Sequence, residues 1–138
     1  MKDLDQAGPI YLPDAELHYE PEFLSANKAN ALFMGLLDGI AWREDTIKVF
    51  GKTYSQPRLT ALYGEEGKSY SYSGIRMHPI PFTPELNDLK ARIETFSGAD
   101  FTTCLLNLYR DGNDSNGWHA DNEKELGGLP FIASVSLG

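Results

Sequence analysis

Polar and apolar positions alternate most sharply over residues 104–109. On an extended chain Leu105, Asn107 and Tyr109 fall on one face, and Cys104, Leu106 and Leu108 on the other. The second face suits a core. The first carries an amide and a phenol, which need partners if they are buried. Residues 111–117 are all Asp, Gly, Asn or Ser, which makes a turn. His119 and Asp121 follow, two residues apart, and share a side if the chain stays extended. Four polar groups, Asn107, Tyr109, His119 and Asp121, are thus expected around one pocket, with Asn107 and Tyr109 facing an enclosed interior.

The rest of the chain divides by its punctuation. Residues 1–20, rich in acids and proline, read as an irregular arm. Pro21 suits a first helical position, and Ala29, Leu32, Phe33, Leu36 and Ile40 keep helical spacing up to Asp38-Gly39. Residues 41–50 favour a strand through Ile47 and Val49, and Gly51 turns the chain. Residues 58–63 form a second strand, closed by the turn at 64–67. Tyr70 and Tyr72 alternate with Ser71 and Ser73. Pro79 and Pro81 interrupt regular structure. Thr83 caps a helix with Pro84 at its first position, an apolar stripe of Leu86, Leu89, Ile93 and Phe96, and Gly98 at its end. Residues 132–138 alternate as a last strand. No repeat or low-complexity segment interrupts this order.

Composition changes the picture little. The 138 residues suffice for one domain with a core. No apolar run is long enough to span a membrane, the N-terminus has no apolar signal core, and the single cysteine forms no internal disulfide. An intracellular location is expected, cytoplasmic in a bacterium or nuclear in a eukaryote. The net charge of −8 argues against a simple electrostatic nucleic-acid binder. Charge distribution tempers that. Between residues 47 and 77, Lys48, Lys52, Arg58, Lys68 and Arg76 face only Glu65 and Glu66. The segment is either a solvated face or a basic surface for a polyanion.

His-x-Asp is half of a facial triad, in which two His and one carboxylate hold Fe(II) and leave the opposite positions open. Taken alone, such a short pattern is more often a surface pair at a turn. The Asn-x-Tyr face leading into it favours the metal.

Six stretches in order carry a more specific signal: residues 49–52 (Val-Phe-Gly-Lys), Pro57-Arg58, residues 70–74 (Tyr-Ser-Tyr-Ser-Gly), residues 107–112, residues 118–123 and residues 132–138. Together they resemble the AlkB family of Fe(II)- and 2-oxoglutarate-dependent dioxygenases, in its nucleic-acid alkylation-repair branch. The resemblance implies an α+β, mainly β fold: a double-stranded β-helix, or jelly roll, with bracing helices. It also implies a nucleotide-recognition lid at about 47–77, inside a single domain portion running from 21 to 138. His119 and Asp121 are then metal ligands, and Asn107 and Tyr109 hold 2-oxoglutarate. Phe50, Gly51 and Lys52 form a hairpin that wedges into stacked bases. Arg58, Tyr70, Tyr72, Ser73, Asn122 and Glu123 surround a flipped-out base. The implied reaction is oxidative dealkylation of N-alkylated bases in DNA or RNA, consuming O2 and 2-oxoglutarate and releasing succinate, carbon dioxide and formaldehyde.

Two departures accompany the resemblance. Asn122 stands where repair members often carry Asp. The family also continues through strands bearing a second metal-binding His and an arginine pair, and His18 and His78 precede the motif and do not match that position. The chain is therefore expected to be C-terminally truncated, inactive alone, and able to dimerise through strand edges. Two rival functions stand beside base repair: a 2-oxoglutarate dioxygenase acting on a non-nucleic-acid substrate, and a non-catalytic nucleic-acid-binding fragment.

Overall fold

In the computed structural model, residues 7–72, 74–121 and 130–138 are described, with Tyr72 described in its backbone alone. They fall into two compact units, residues 1–39 with 135–138, and residues 40–134.

The first unit opens with strands β1 (Gly8–Leu12) and β2 (Ala15–Tyr19), paired antiparallel from Gly8↔Tyr19 to Leu12↔Ala15. This corrects the expectation of an irregular arm. The prolines and acids that suggested irregularity partly sit in the turn itself, at Pro13 and Asp14, and ladder pairing outweighs weak strand propensity on either side. Helix α1 spans Ala26–Gly39, not from Pro21. Ser25 starts it: its Oγ accepts the Lys28 amide at 3.3 Å, and its carbonyl accepts the Ala29 amide at 2.8 Å. The expected stripe of Ala29, Leu32, Phe33 and Leu36 is its sheltered face.

The second unit is organised on β5 (Leu59–Gly64), every residue of which is buried except half-buried Leu59. Along one edge it pairs antiparallel with β8 (Thr103–Leu108), from Leu59↔Leu108 to Gly64↔Thr103. Along the other it bridges Arg43 at Thr60 and Ile80 at Tyr63. Hairpin β3 (Thr46–Val49)/β4 (Lys52–Ser55) and ladder β6 (Tyr70–Tyr72)/β7 (Ile75–Met77) complete the strands. Leu62, Ile75 and Met77 form a core cluster against which Ile47 and Tyr70 pack. The Tyr63 hydroxyl accepts the Ala41 amide at 3.0 Å.

Helix α2 (Pro84–Ser97) forms as its sequence dictates. The Thr83 hydroxyl accepts the Leu86 amide at 3.2 Å, and Gly98 ends the helix at φ 72°, where its amide reaches the Glu94 carbonyl. Leu86 is buried and Leu89 and Ile93 are half-buried, but Phe96, the last member of the stripe, is 52% exposed.

The described elements are thus four two-stranded sheets and two helices, an α+β arrangement dominated by strands. Residues 132–138 form no strand, contrary to their alternating pattern. A strand needs a ladder partner, and no described segment pairs with them.

Cys104 sits on the half-buried side of β8, and burial pushes its thiol up from 9.0 to about 11. That two-unit rise lowers the thiolate fraction at neutral pH about 100-fold. Alkylation by iodoacetamide at pH 7 should therefore run about 100-fold slower than for a free thiol, followed by mass spectrometry. Labelling at the free-thiol rate would place Cys104 in water.

Candidate metal and co-substrate site

The alternation on β8 appears in its burial. Leu106 is buried, Cys104 and Leu108 are half-buried, and Leu105 and Asn107 are exposed on the other side. Tyr109, just past the strand, is 46% exposed. Asn107 and Tyr109 were expected to face an enclosed interior; they lie open instead. Alternation fixes which residues share a face, but what packs over that face decides whether it is covered, and both residues are exposed.

Asn107 is open but not loose. Its Oδ1 accepts the Arg58 Nε–H at 3.0 Å, and Arg58 is itself buried, 8% exposed. Directly across the ladder stands Thr60, fully buried, whose hydroxyl has no partner among the described residues. An orphaned buried hydroxyl carries a desolvation cost unless something donates to it or accepts from it.

The loop beyond Tyr109 is clamped. Arg110 grips Asp114 with two parallel bonds, Nε–Oδ2 at 2.7 Å and Nη2–Oδ1 at 3.0 Å, and its own amide also reaches Oδ2 at 2.9 Å. Asp111 Oδ1 accepts the Asn113 amide at 2.8 Å, an Asx turn. The loop is tied back to the start of β5 by the Ser115 amide on the Pro57 carbonyl at 2.8 Å, and by Arg58 Nη1 on the Ser115 carbonyl at 3.3 Å. The Arg110 bonds hold the Asp114 carboxyl below its ordinary 3.8, and in return the carboxylate raises the arginine. A carboxyl depressed by folding stabilises above its unfolded pKa and loses that contribution as pH falls through the folded value. Asp114→Asn should therefore lower the melting temperature at neutral pH, with the gap to the parent closing as the solution is acidified below the carboxyl's ordinary 3.8. A gap that persists unchanged in acid would assign the effect to something other than the carboxylate.

The clamp delivers the chain to His119. Its Nδ1 lies 2.8 Å from the Gly117 carbonyl, which fixes Nδ1 as the protonated nitrogen and turns Nε2 toward Asp121 Oδ1, 3.3 Å away. A backbone carbonyl on one ring nitrogen is the usual outer partner of a metal-ligating imidazole. Two cis ligands about 2.1 Å from an octahedral divalent ion stand about 3 Å apart, so the pair needs little movement to share one. Both side chains are about half exposed. The described residues contain no cluster of three or more His, Cys, Asp or Glu that could hold a metal; His119 and Asp121 stand there as a pair. The donor set fits Fe(II) as far as it goes. The Asn107 amide and the Tyr109 hydroxyl, both exposed, are polar groups of the kind a small polar acid takes, whereas the fully buried Thr60 hydroxyl is closed off from that face.

The remaining candidates separate. Phe50 and Gly51 form the tip of the β3/β4 hairpin at φ 49° and 76°, the two positive values a tight two-residue turn requires, and Phe50 is wholly exposed. Lys52 is exposed beside them. Tyr70 is half-buried against the core cluster. Ser73, Asn122 and Glu123 lie outside the described residues. In the basic segment Lys48, Lys52, Lys68 and Arg76 are exposed, while Arg58 points inward. Sequence reasoning missed Thr60, Arg110 and Asp114. The Arg110/Asp114 spacing was visible as opposite charges four apart. Thr60 carried no signal, because its neighbour Asn107 is set by strand register.

The family model for the 2OG-Fe(II) oxygenase superfamily matches residues 16–138. The chain belongs to that superfamily. Within it, the relatives are of the AlkB family. Human alpha-ketoglutarate-dependent dioxygenase alkB homolog 3 is 44% identical over 119 residues, covering 86% of this chain and 41% of the relative. DNA oxidative demethylase ALKBH2 of Bos taurus is 44% identical over 92 residues, covering 67% and 33%. The Arabidopsis thaliana ALKBH2 is 37% identical over 128 residues, covering 90% and 41%. The chain thus spans about two-fifths or less of these AlkB-family proteins.

Proposed function

We propose that the protein to which this chain belongs oxidatively dealkylates N-alkylated bases in DNA or RNA, using Fe(II), O2 and 2-oxoglutarate. The observation that carries this reading is the His119–Asp121 pair. Its two ligand atoms stand 3.3 Å apart, its imidazole is fixed by a backbone carbonyl, and it lies on the segment that follows an open Asn107–Tyr109 face. The relatives named as DNA oxidative demethylases support the choice of substrate. Fe(II) with 2-oxoglutarate supplies the oxidation when bound, and the product base loses its alkyl carbon as an aldehyde.

The chain's own residues have defined tasks in this reading. Nε2 of His119 and the carboxylate of Asp121 hold the metal. Asn107 and the Tyr109 hydroxyl orient 2-oxoglutarate by hydrogen bonds. The exposed lysines at 48, 52 and 68 lie along phosphates, where each contact contributes a salt-dependent part of affinity. Phe50 at the hairpin tip offsets the cost of opening the stack. The β5–β8 ladder, in this reading, forms part of a double-stranded β-helix.

The test uses the full-length protein with Fe(II), 2-oxoglutarate and a panel of methylated oligonucleotides. Succinate and formaldehyde are measured together. Formaldehyde formed in step with succinate on a methylated oligonucleotide is the expected result. Succinate formed without any response to nucleic acid would sink the substrate assignment and favour a different acceptor; absence of both with iron bound would sink the enzyme reading.

A further inference from the structure

We propose that Arg58 is a positioning residue for the co-substrate: it turns the Asn107 carboxamide so that its NH2 faces the open side as the donor for a 2-oxoglutarate oxygen. The inference deepens the reading above and rests on it. The resemblance sets Arg58 beside the flipped base; the geometry sets it behind Asn107.

An asparagine amide can sit either way round, and its neighbours decide which. Arg58 offers only donors, so the amide oxygen must meet it and the amide nitrogen must turn away. The bond is 3.0 Å from Nε to Oδ1. Asn107 Nδ2 then has no acceptor among the described residues, while the residue itself is exposed. A dianionic co-substrate needs a donor there and would be repelled by a carbonyl oxygen.

Arg58 is held well enough to impose this choice. It is 8% exposed. Its amide is tied to the Gln56 carbonyl at 2.8 Å, and its Nη1 reaches the Ser115 carbonyl at 3.3 Å. The neighbouring Pro57 carbonyl takes the Ser115 amide at 2.8 Å. Two residues on, Thr60 pairs across the ladder with Asn107, so strand register fixes the distance between guanidinium and amide. One arginine therefore joins the strand carrying Asn107 to the loop leading to His119.

The experiment uses the full-length protein with Fe(II) under anaerobic conditions. The 2-oxoglutarate dissociation constant is read from the visible charge-transfer band, and the Asn107 side-chain amide signals are read by 15N NMR on the metal-free protein. Arg58→Met should weaken 2-oxoglutarate binding roughly 10-fold, the size of a lost hydrogen bond to a charged group. It should shift or split the Asn107 amide signals without metal, and leave the KM for methylated oligonucleotide unchanged. Arg58→Lys should recover part of the loss. Asn107→Asp keeps an acceptor for Arg58, and so the fold, but removes the outward donor; it should lose 2-oxoglutarate binding while melting like the parent.

The outcomes separate the two readings. If Asn107→Ala weakens binding but Arg58→Met does not, or if Arg58→Met raises the oligonucleotide KM instead, the positioning role falls and the co-substrate site stands. If Asn107→Asp binds 2-oxoglutarate as the parent does, the outward donor falls whatever Arg58→Met does to folding. If the parent binds no 2-oxoglutarate, both readings fall together.

Discussion

Replacing either His119 or Asp121 by alanine in the full-length protein is expected to abolish 2-oxoglutarate turnover through loss of iron. The pair supplies one imidazole and one carboxylate, with Nε2 and Oδ1 3.3 Å apart. Removing a ligand should cost more than the 10- to 100-fold that follows loss of an outer partner of a metal site. Metal content by mass spectrometry and succinate formation are the two readouts. Both residues are about half exposed and close no core, so each variant should melt near the parent when metal-free. A His119→Ala protein that retained iron and turned over 2-oxoglutarate would move the metal elsewhere.

The second large effect is expected at Phe50. Its ring is fully exposed and its backbone sits at φ 49°, where a non-glycine residue costs of order 1 kcal/mol. Glycine or asparagine would hold that turn with less strain. The aromatic is therefore poorly explained by the hairpin itself and well explained by a contact outside it. Stacking on a base contributes about 1–3 kcal/mol, which corresponds to roughly 5- to 150-fold in activity. Phe50→Gly should lose that factor on duplex oligonucleotides, lose much less on single strands, and leave the melting temperature equal or higher. Equal losses on both substrates would remove the wedge role, and a large drop in stability would make Phe50 a structural residue.

Local features were more legible in the sequence than pairing between segments. The capped helix at 84–97, the turn at Phe50-Gly51, the two faces of β8 and the His-x-Asp pair are all local, written in residues a few positions apart and governed by φ preference, capping and period-two alternation. Family membership was legible too, because it rests on short stretches in order. Pairing between segments decided the rest. The hairpin at 8–19 formed where composition pointed to an irregular arm, and the alternating residues at 132–138 found no described partner. Asn107 and Tyr109 proved open because the exposure of a face depends on what covers it, which alternation does not encode. Arg58 meets Asn107 across 49 positions of sequence, and Thr60 stands opposite it, only because β5 and β8 lock in one register. A one-residue slip would send those side chains to the other face. Residue type therefore determined which groups could do the chemistry, and strand register determined which of them meet.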